Sequence, residues 1–203
     1  MGRYTGPKVK KSKRVRAPIA ETTKHMKADL DRGPGQHGMS RRRRMTLFGE
    51  RLREKQKLCF FYHVSDKQFR RYMAAAAASP TNTGDKLAEL LERRLDNVVR
   101  RANFCRTIWQ ARQVVVHGHI TVNGKKVDRP SYQVSAGDEI SVREKSKKAV
   151  TVMAESVDAG NIIPPWINAN PEKLTCSVTR VPQHDEIFRP FETNMLHVVE
   201  FIR

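Results

Sequence analysis

From residue 85 to 103 the apolar side chains fall at Leu87, Leu90, Leu91, Leu95, Val98, Val99 and Ala102. This is one stripe of a 3.6-residue period, and it predicts a helix over Asp85–Asn103. Arg93, Arg94, Arg100 and Arg101 lie outside the stripe and are expected at the surface. An earlier helix is expected over Glu50–Tyr62, where Leu52, Leu58, Phe61 and Tyr62 sit among alternating charges. Ser65-Asp-Lys-Gln68 has capping-box spacing and should open a helix through Phe69, Tyr72 and Met73 into the alanine run, until Ser79-Pro80 and Asn82-Thr-Gly84 break it. Thr107-Ile-Trp-Gln110 is a second capping box. Its helix runs through Ala111, Val114 and Val115 to His117, and Gly118 supplies the stop.

The pattern then shortens. Ile120–Val122 and Lys125–Val127 flank Asn123-Gly124, the pair that tolerates the two positive φ angles of a type I′ hairpin turn. Glu139–Val142 and Leu174–Val181 alternate as strands, and the short apolar run Ala149–Met153 is read as a further strand. Asn161–Pro171, with three prolines, is read as a loop, and Phe191–Ile202 fits either a helix or a strand. No internal repeat is present. The expected class is α+β: a helical domain, then a small domain of helix-turn-helix, β-hairpin and short strands.

The first 45 residues change this picture. They contain 5 of the 11 glycines together with Pro7, Pro18 and Pro34, and their apolar residues have no period. They read as an irregular basic arm that orders against a partner. Charge points the same way. The chain of 203 residues carries +18, with net +11 over residues 1–45, +3 over 46–91, +7 over 92–148 and −3 over 149–203. A compact chain with this much self-repulsion is accommodated most easily on a polyanion. Nucleic acid fits better than an anionic membrane, because no basic amphipathic helix has a bulky aromatic face.

The candidate contacts follow from placement. Backbone N–H groups at the start of the Thr107 helix favour phosphate, with Arg106 and Arg112 nearby. Lys125 and Lys126 are presented at the hairpin beyond Asn123. His117 and His119 offer hydrogen bonds to sugar or phosphate, or a stacking face. Arg41, Arg42, Arg43 and Arg44 cannot share one helical face, so they can reach phosphates on several sides.

Glu92-Arg-Arg-Leu-Asp-Asn-Val-Val99, Gln110-Ala-Arg-Gln-Val114, His117–Val127, Ser131-Tyr132 and Gly137–Lys145 closely resemble the RNA-binding module named after protein four of the small ribosomal subunit. Arg3–Lys8, Pro34–Gly38, Leu52–Lys57, Gln68-Phe-Arg70, Asn82-Thr-Gly84 and the ending from Val181 extend the resemblance to nearly the whole of that ribosomal family. The resemblance implies an arm over 1–45, a helical domain over 46–91 closed by the tail 190–203, and an RNA-binding domain over 92–189. It implies binding of small-subunit ribosomal RNA at a multi-helix junction in the 5′ domain and nucleation of small-subunit assembly. It also implies a contact with small-subunit protein five linked to translational accuracy, and a place near the channel by which messenger RNA enters. The chain is then expected on the cytoplasmic ribosome. The expected RNA contacts are Arg3, Lys8, Lys10, Lys11, the four arginines Arg41–Arg44, Lys55, Arg94, Arg100, Arg106, Arg112, His117, His119, Asn123, Lys125 and Lys126.

Other functions are disfavoured. Cys59, Cys105 and Cys176 are an odd, dispersed set with no Cys-x-x-Cys, which argues against a disulfide framework or a zinc knuckle. Some family members carry a cysteine cluster in the arm, but this arm has no cysteine, so neither a metal nor another cofactor is expected. Cys59 and His63 lie one helical turn apart without a second ligand pair. No secretory leader or membrane-length apolar stretch is expected. Arg94-Leu-Asp96 mimics the active-site triplet of a pseudouridine synthase, but too little chain remains for a catalytic domain, and no catalytic residue is expected. A free RNA-binding translational regulator is the alternative function.

Overall fold

The computed structural model describes residues 4, 6–20, 22–40, 44–157 and 162–202. In chain order the helices are α1 (Lys8–Val15), α2 (Thr23–Met26), α3 (Leu47–Phe61), α4 (Asp66–Ala77), α5 (Thr83–Glu92), α6 (Leu95–Arg101) and α7 (Ile108–Val116). Strands β1 (Ile120–Val122), β2 (Lys125–Lys126) and β3 (Glu139–Val142) follow, then α8 (Lys147–Glu155), β4 (Ile167–Asn170), β5 (Thr175–Val178) and α9 (Met195–Ile202). The fold is α+β, with one antiparallel sheet in the order β2-β1-β3-β5-β4.

The chain forms two compact units, Met1–Arg70 with Arg189–Arg203, and Arg71–Phe188. The first unit boundary falls within α4, whereas the resemblance put domain boundaries near residues 45, 91 and 189. In the first unit α1 and α9 both pack on α3. Val15, Ile19, Leu58, Phe61, Phe69 and Val198 are among its buried apolar residues. Arg51 pairs with Glu200 at 2.6 Å, and the Phe48 and Phe201 rings lie 5.3 Å apart. The arm is thus less irregular than its composition suggests. Lys8–Val15 is helical, and burial of Val15, Ala17, Ile19 and Ala20 gives it a core-facing side.

The first unit also holds a buried pH-sensitive pair. His25 Nδ1 lies 2.8 Å from the Ser12 hydroxyl, and both side chains are buried. Burial, then Lys8 and Lys24, holds the His25 pKa below its ordinary 6.5. Between the lowered folded value and 6.5 the unfolded chain binds more protons, so stability is full above 6.5 and is lost as pH falls toward the folded value. The thermal midpoint should drop between about pH 7.5 and about pH 5.5, and by less in His25→Gln. An equal drop in both proteins would remove His25 as a source of the pH dependence.

In the second unit α6 and α7 pack on each other. Val98, Val99, Ala111, Val115, Ile140 and Trp166 belong to one buried cluster with residues of the sheet. Asn123 and Gly124 have φ of 49° and 76°, as the type I′ turn requires.

Three sequence expectations change here, and one that was open is decided. The stripe over 85–103 is two helices, because Arg94 is extended (φ −66°, ψ 135°). The backbone groups freed at this break are taken up by a neighbouring segment. Leu95 N–H donates to Tyr132 O at 2.9 Å, Asp96 N–H to Pro130 O at 3.3 Å, and Val134 N–H to Arg93 O at 2.9 Å. Residues 149–153 are helical, because Val150, Met153 and Ala154 make an apolar face at helical spacing. Within the expected loop 161–171, Ile167–Asn170 is an edge strand paired to β5, lying between Pro165 and Pro171. The undecided ending is the helix α9.

All three described cysteines are buried, and burial pushes each thiol up to about 12. At neutral pH a thiol-specific reagent should leave the folded chain almost unmodified and label three sites in denaturant. Fast labelling of the native protein would contradict this placement.

Candidate nucleic-acid interface

The second unit builds a cationic face around α7. Its capping box is complete: Gln110 N–H donates to Thr107 Oγ1 at 3.3 Å, and Thr107 N–H donates to Gln110 Oε1 at 3.2 Å. This fixes the start of the helix and thereby the direction of Arg112. The Arg112 side chain is 19% exposed and its Nη1 lies 3.7 Å from Asp96 Oδ2. Burial lowers the Arg112 pKa, and Asp96 opposes that shift. Arg106, just before the cap, is half-buried.

At the other end of α7, His117 is exposed and Gly118 turns the chain with φ 71°. A Cβ at residue 118 would lie 2.2 Å from Lys126 Cε, so glycine there lets the lysine stem cross the turn. Arg143 Nη1 donates to Gly118 O at 3.2 Å, and Arg143 N–H donates to His119 O at 2.9 Å. His119 is half-buried, with Nδ1 2.8 Å from Ser146 Oγ, and its ring lies 5.8 Å from that of His117. Lys125 and Lys126 are exposed at the hairpin. Asn123 is exposed and orders the turn: its Nδ2 donates to Asp138 Oδ1 at 2.8 Å, and its Oδ1 accepts from Glu139 N–H at 2.9 Å. One end of the unit therefore presents His117, Lys126 and Arg143 around Gly118, with Lys125 exposed beside Lys126 on the hairpin.

Arg143 was not among the sequence candidates, nor were the exposed Lys145 and Lys148. The run Arg143-Glu-Lys-Ser-Lys-Lys148 carried the signal, but its place beside Gly118 depends on β3 pairing with β1.

Three of the cations expected to contact RNA are buried. Arg94 is 2% exposed and grips the fully buried Asp96, with Nε to Oδ1 at 3.0 Å and Nη2 to Oδ2 at 2.6 Å. Its Nη1 donates to the Tyr72 hydroxyl at 2.8 Å. Burial works against the Arg94 charge, but Asp96 and Tyr72 more than compensate and raise its pKa. Arg100 is 4% exposed and donates to Asn97 Oδ1 at 3.1 Å. Lys55, in the first unit, is 7% exposed, pairs with Asp66 at 2.6 Å and lies 4.6 Å from the Phe201 ring centre. Arg101, which the period also placed outside, is buried against Glu92. The period identifies the side of a helix facing the main core. It does not show that further elements cover the other side of the helix.

In the first unit Lys10 and Arg44 are exposed and Lys8 is half-buried. Lys11 is half-buried, with Nζ 3.6 Å from the Tyr4 ring centre and 4.6 Å from that of Phe60. Burial, then Arg14, lowers its pKa. Arg3, Arg41, Arg42 and Arg43 lie outside the described residues.

Among the described residues no group of three or more His, Cys, Asp or Glu is placed to hold a metal ion. The Asp96 carboxylate, which the synthase-like triplet singled out, is buried and neutralised by Arg94. Among the described residues no helix is long and apolar enough to cross a membrane.

Comparison with known proteins agrees with this architecture. Residues 3–92 match the family described as ribosomal protein S4/S9 N-terminal domain, and residues 93–140 match the S4 domain. The small ribosomal subunit protein uS4 of Geobacillus kaustophilus is 43% identical over 201 residues, covering 99% of this chain and 98% of its own length. The protein of the same name from Listeria welshimeri is 43% identical over 204 residues, again covering 99% and 98%. On its sequence, and with the helical and sheet-containing parts described above, the chain belongs to the S4 family of small-subunit ribosomal proteins.

Proposed function

We propose that the chain is a structural constituent of the cytoplasmic ribosome. It binds small-subunit ribosomal RNA at a multi-helix junction in the 5′ domain and nucleates small-subunit assembly. It touches small-subunit protein five and incoming messenger RNA, and through the former it contributes to translational accuracy. Residues 92–189 carry the main RNA surface, and the arm 1–45 adds contacts. The observation that supports RNA binding best is the grouping of His117, Lys126 and Arg143 around Gly118, with the exposed Lys125 beside Lys126 on the hairpin and Arg112 further along α7. A junction brings phosphates from several helices together, so a shaped cationic surface can select it by geometry.

Changing Arg112, Lys125 and Lys126 together to Ala should reduce affinity for the small-subunit transcript by about 10²-fold or more, with the salt slope falling by about three. Circular dichroism should show a folded chain. Footprinting of the parent protein should protect one compact set of helices in the 5′ domain. Unchanged affinity in the folded triple variant would remove this face from the interface. Sedimentation of a cell lysate separates the ribosomal role from a free regulator: one copy per small subunit supports the first, and a mostly free pool supports the second.

A further inference from the structure

Asp96 is the meeting point of two arginines in different surroundings. Arg94 is buried and takes both carboxylate oxygens. Arg112 Nη1 approaches Oδ2 to 3.7 Å, and the Arg112 side chain is 19% exposed. One carboxylate faces two guanidinium groups, so the cluster carries a surplus positive charge, and the arginine that reaches solvent is Arg112. A phosphate arriving there meets a cation already held in place.

We propose that Asp96 is a positioning residue for RNA binding: its buried carboxylate never touches RNA but holds the Arg112 guanidinium in the orientation that docks a phosphate. This rests on Arg112 being an RNA contact, as proposed above. A long arginine side chain loses rotamer freedom when it is fixed on a ligand. A guanidinium already steered by a neighbouring carboxylate loses less on binding, which favours the complex. Arg94 and the Tyr72 hydroxyl complete the support, because the two-pronged grip of Arg94 sets the plane of the Asp96 carboxylate.

The test uses the full chain and its own small-subunit transcript, with affinity measured across a range of salt and referred to folded protein. Asp96→Asn should weaken binding by about tenfold and lower the salt slope by about one, as for loss of one phosphate contact. R112A should do the same, and D96N/R112A should bind no more weakly than R112A, since both changes remove one contact. R94M/D96L exchanges the buried pair for apolar side chains and serves if D96N does not fold. It should show the same loss of affinity and slope. If the Asp96 variants lose affinity at an unchanged slope, or if the D96N and R112A losses add, Asp96 is structural and the proposal is overturned. If R112A binds like the parent while the parent keeps a steep slope, Arg112 is not a contact. That also overturns the proposal, but leaves RNA binding by the chain standing. A flat slope in the parent itself would overturn the RNA-binding reading first.

Discussion

Affinity for small-subunit ribosomal RNA is expected to fall by about 10³–10⁵-fold between about 50 and 200 mM salt, the range for a protein that neutralises roughly 6–10 nucleic-acid phosphates. The reason is counterion release. Each bound phosphate frees part of its condensed cation, and added salt opposes that release. The chain has the charge for it, with +18 overall and net +11 in the first 45 residues. The exposed Lys125, Lys126 and Arg143 are gathered at one end of the second unit. Filter binding or fluorescence anisotropy across a salt series measures it. A nearly flat plot would mean that contacts other than charge hold the complex, and the cationic face would lose its role.

The largest stability loss from a single change is expected at Glu92. Its side chain is 1% exposed and its carboxylate accepts from Arg101 Nε at 3.1 Å, from Arg101 Nη2 at 2.9 Å and from Asn97 Nδ2 at 2.6 Å. Arg101 also donates to Phe188 O. Glu92→Ala removes the counter-charge and leaves the guanidinium in a low-dielectric setting, a change that costs about 3–5 kcal/mol in comparable buried pairs. Urea unfolding of the full chain should show the loss, with the midpoint shifted far to lower denaturant. Replacing Glu92 and Arg101 together by methionine should cost much less, because both charges leave at once. A Glu92→Ala protein as stable as the parent would mean that Arg101 is compensated from elsewhere.

The contrast between these two experiments follows a division already visible along the chain. Amphipathic periods, two capping boxes and the Asn-Gly turn are local signals, and each acts within about a turn of helix or a single hairpin. They placed α7, the β1–β2 turn and the residues carried on them, including Arg112, His117, Lys125 and Lys126. Short apolar runs were less decisive. Residues 149–153 suit a strand or one face of a helix, and packing of Val150, Met153 and Ala154 chose the helix. Ile167–Asn170 lies among prolines and became a strand only because β5 supplied a partner.

The sequence alone determined the family, the α+β class, the concentration of positive charge and the helices and hairpin that present part of it. Only the tertiary structure decided which arginines remain outside. Arg94, Arg100 and Arg101 have the same local pattern as surface residues, yet each is buried beside a side-chain oxygen supplied from its own helix or the segment just before it. Charge type is written in the residue, but exposure depends on what the chain later folds across it. Burial beside a counter-charge lets an arginine stay ionised without being exposed.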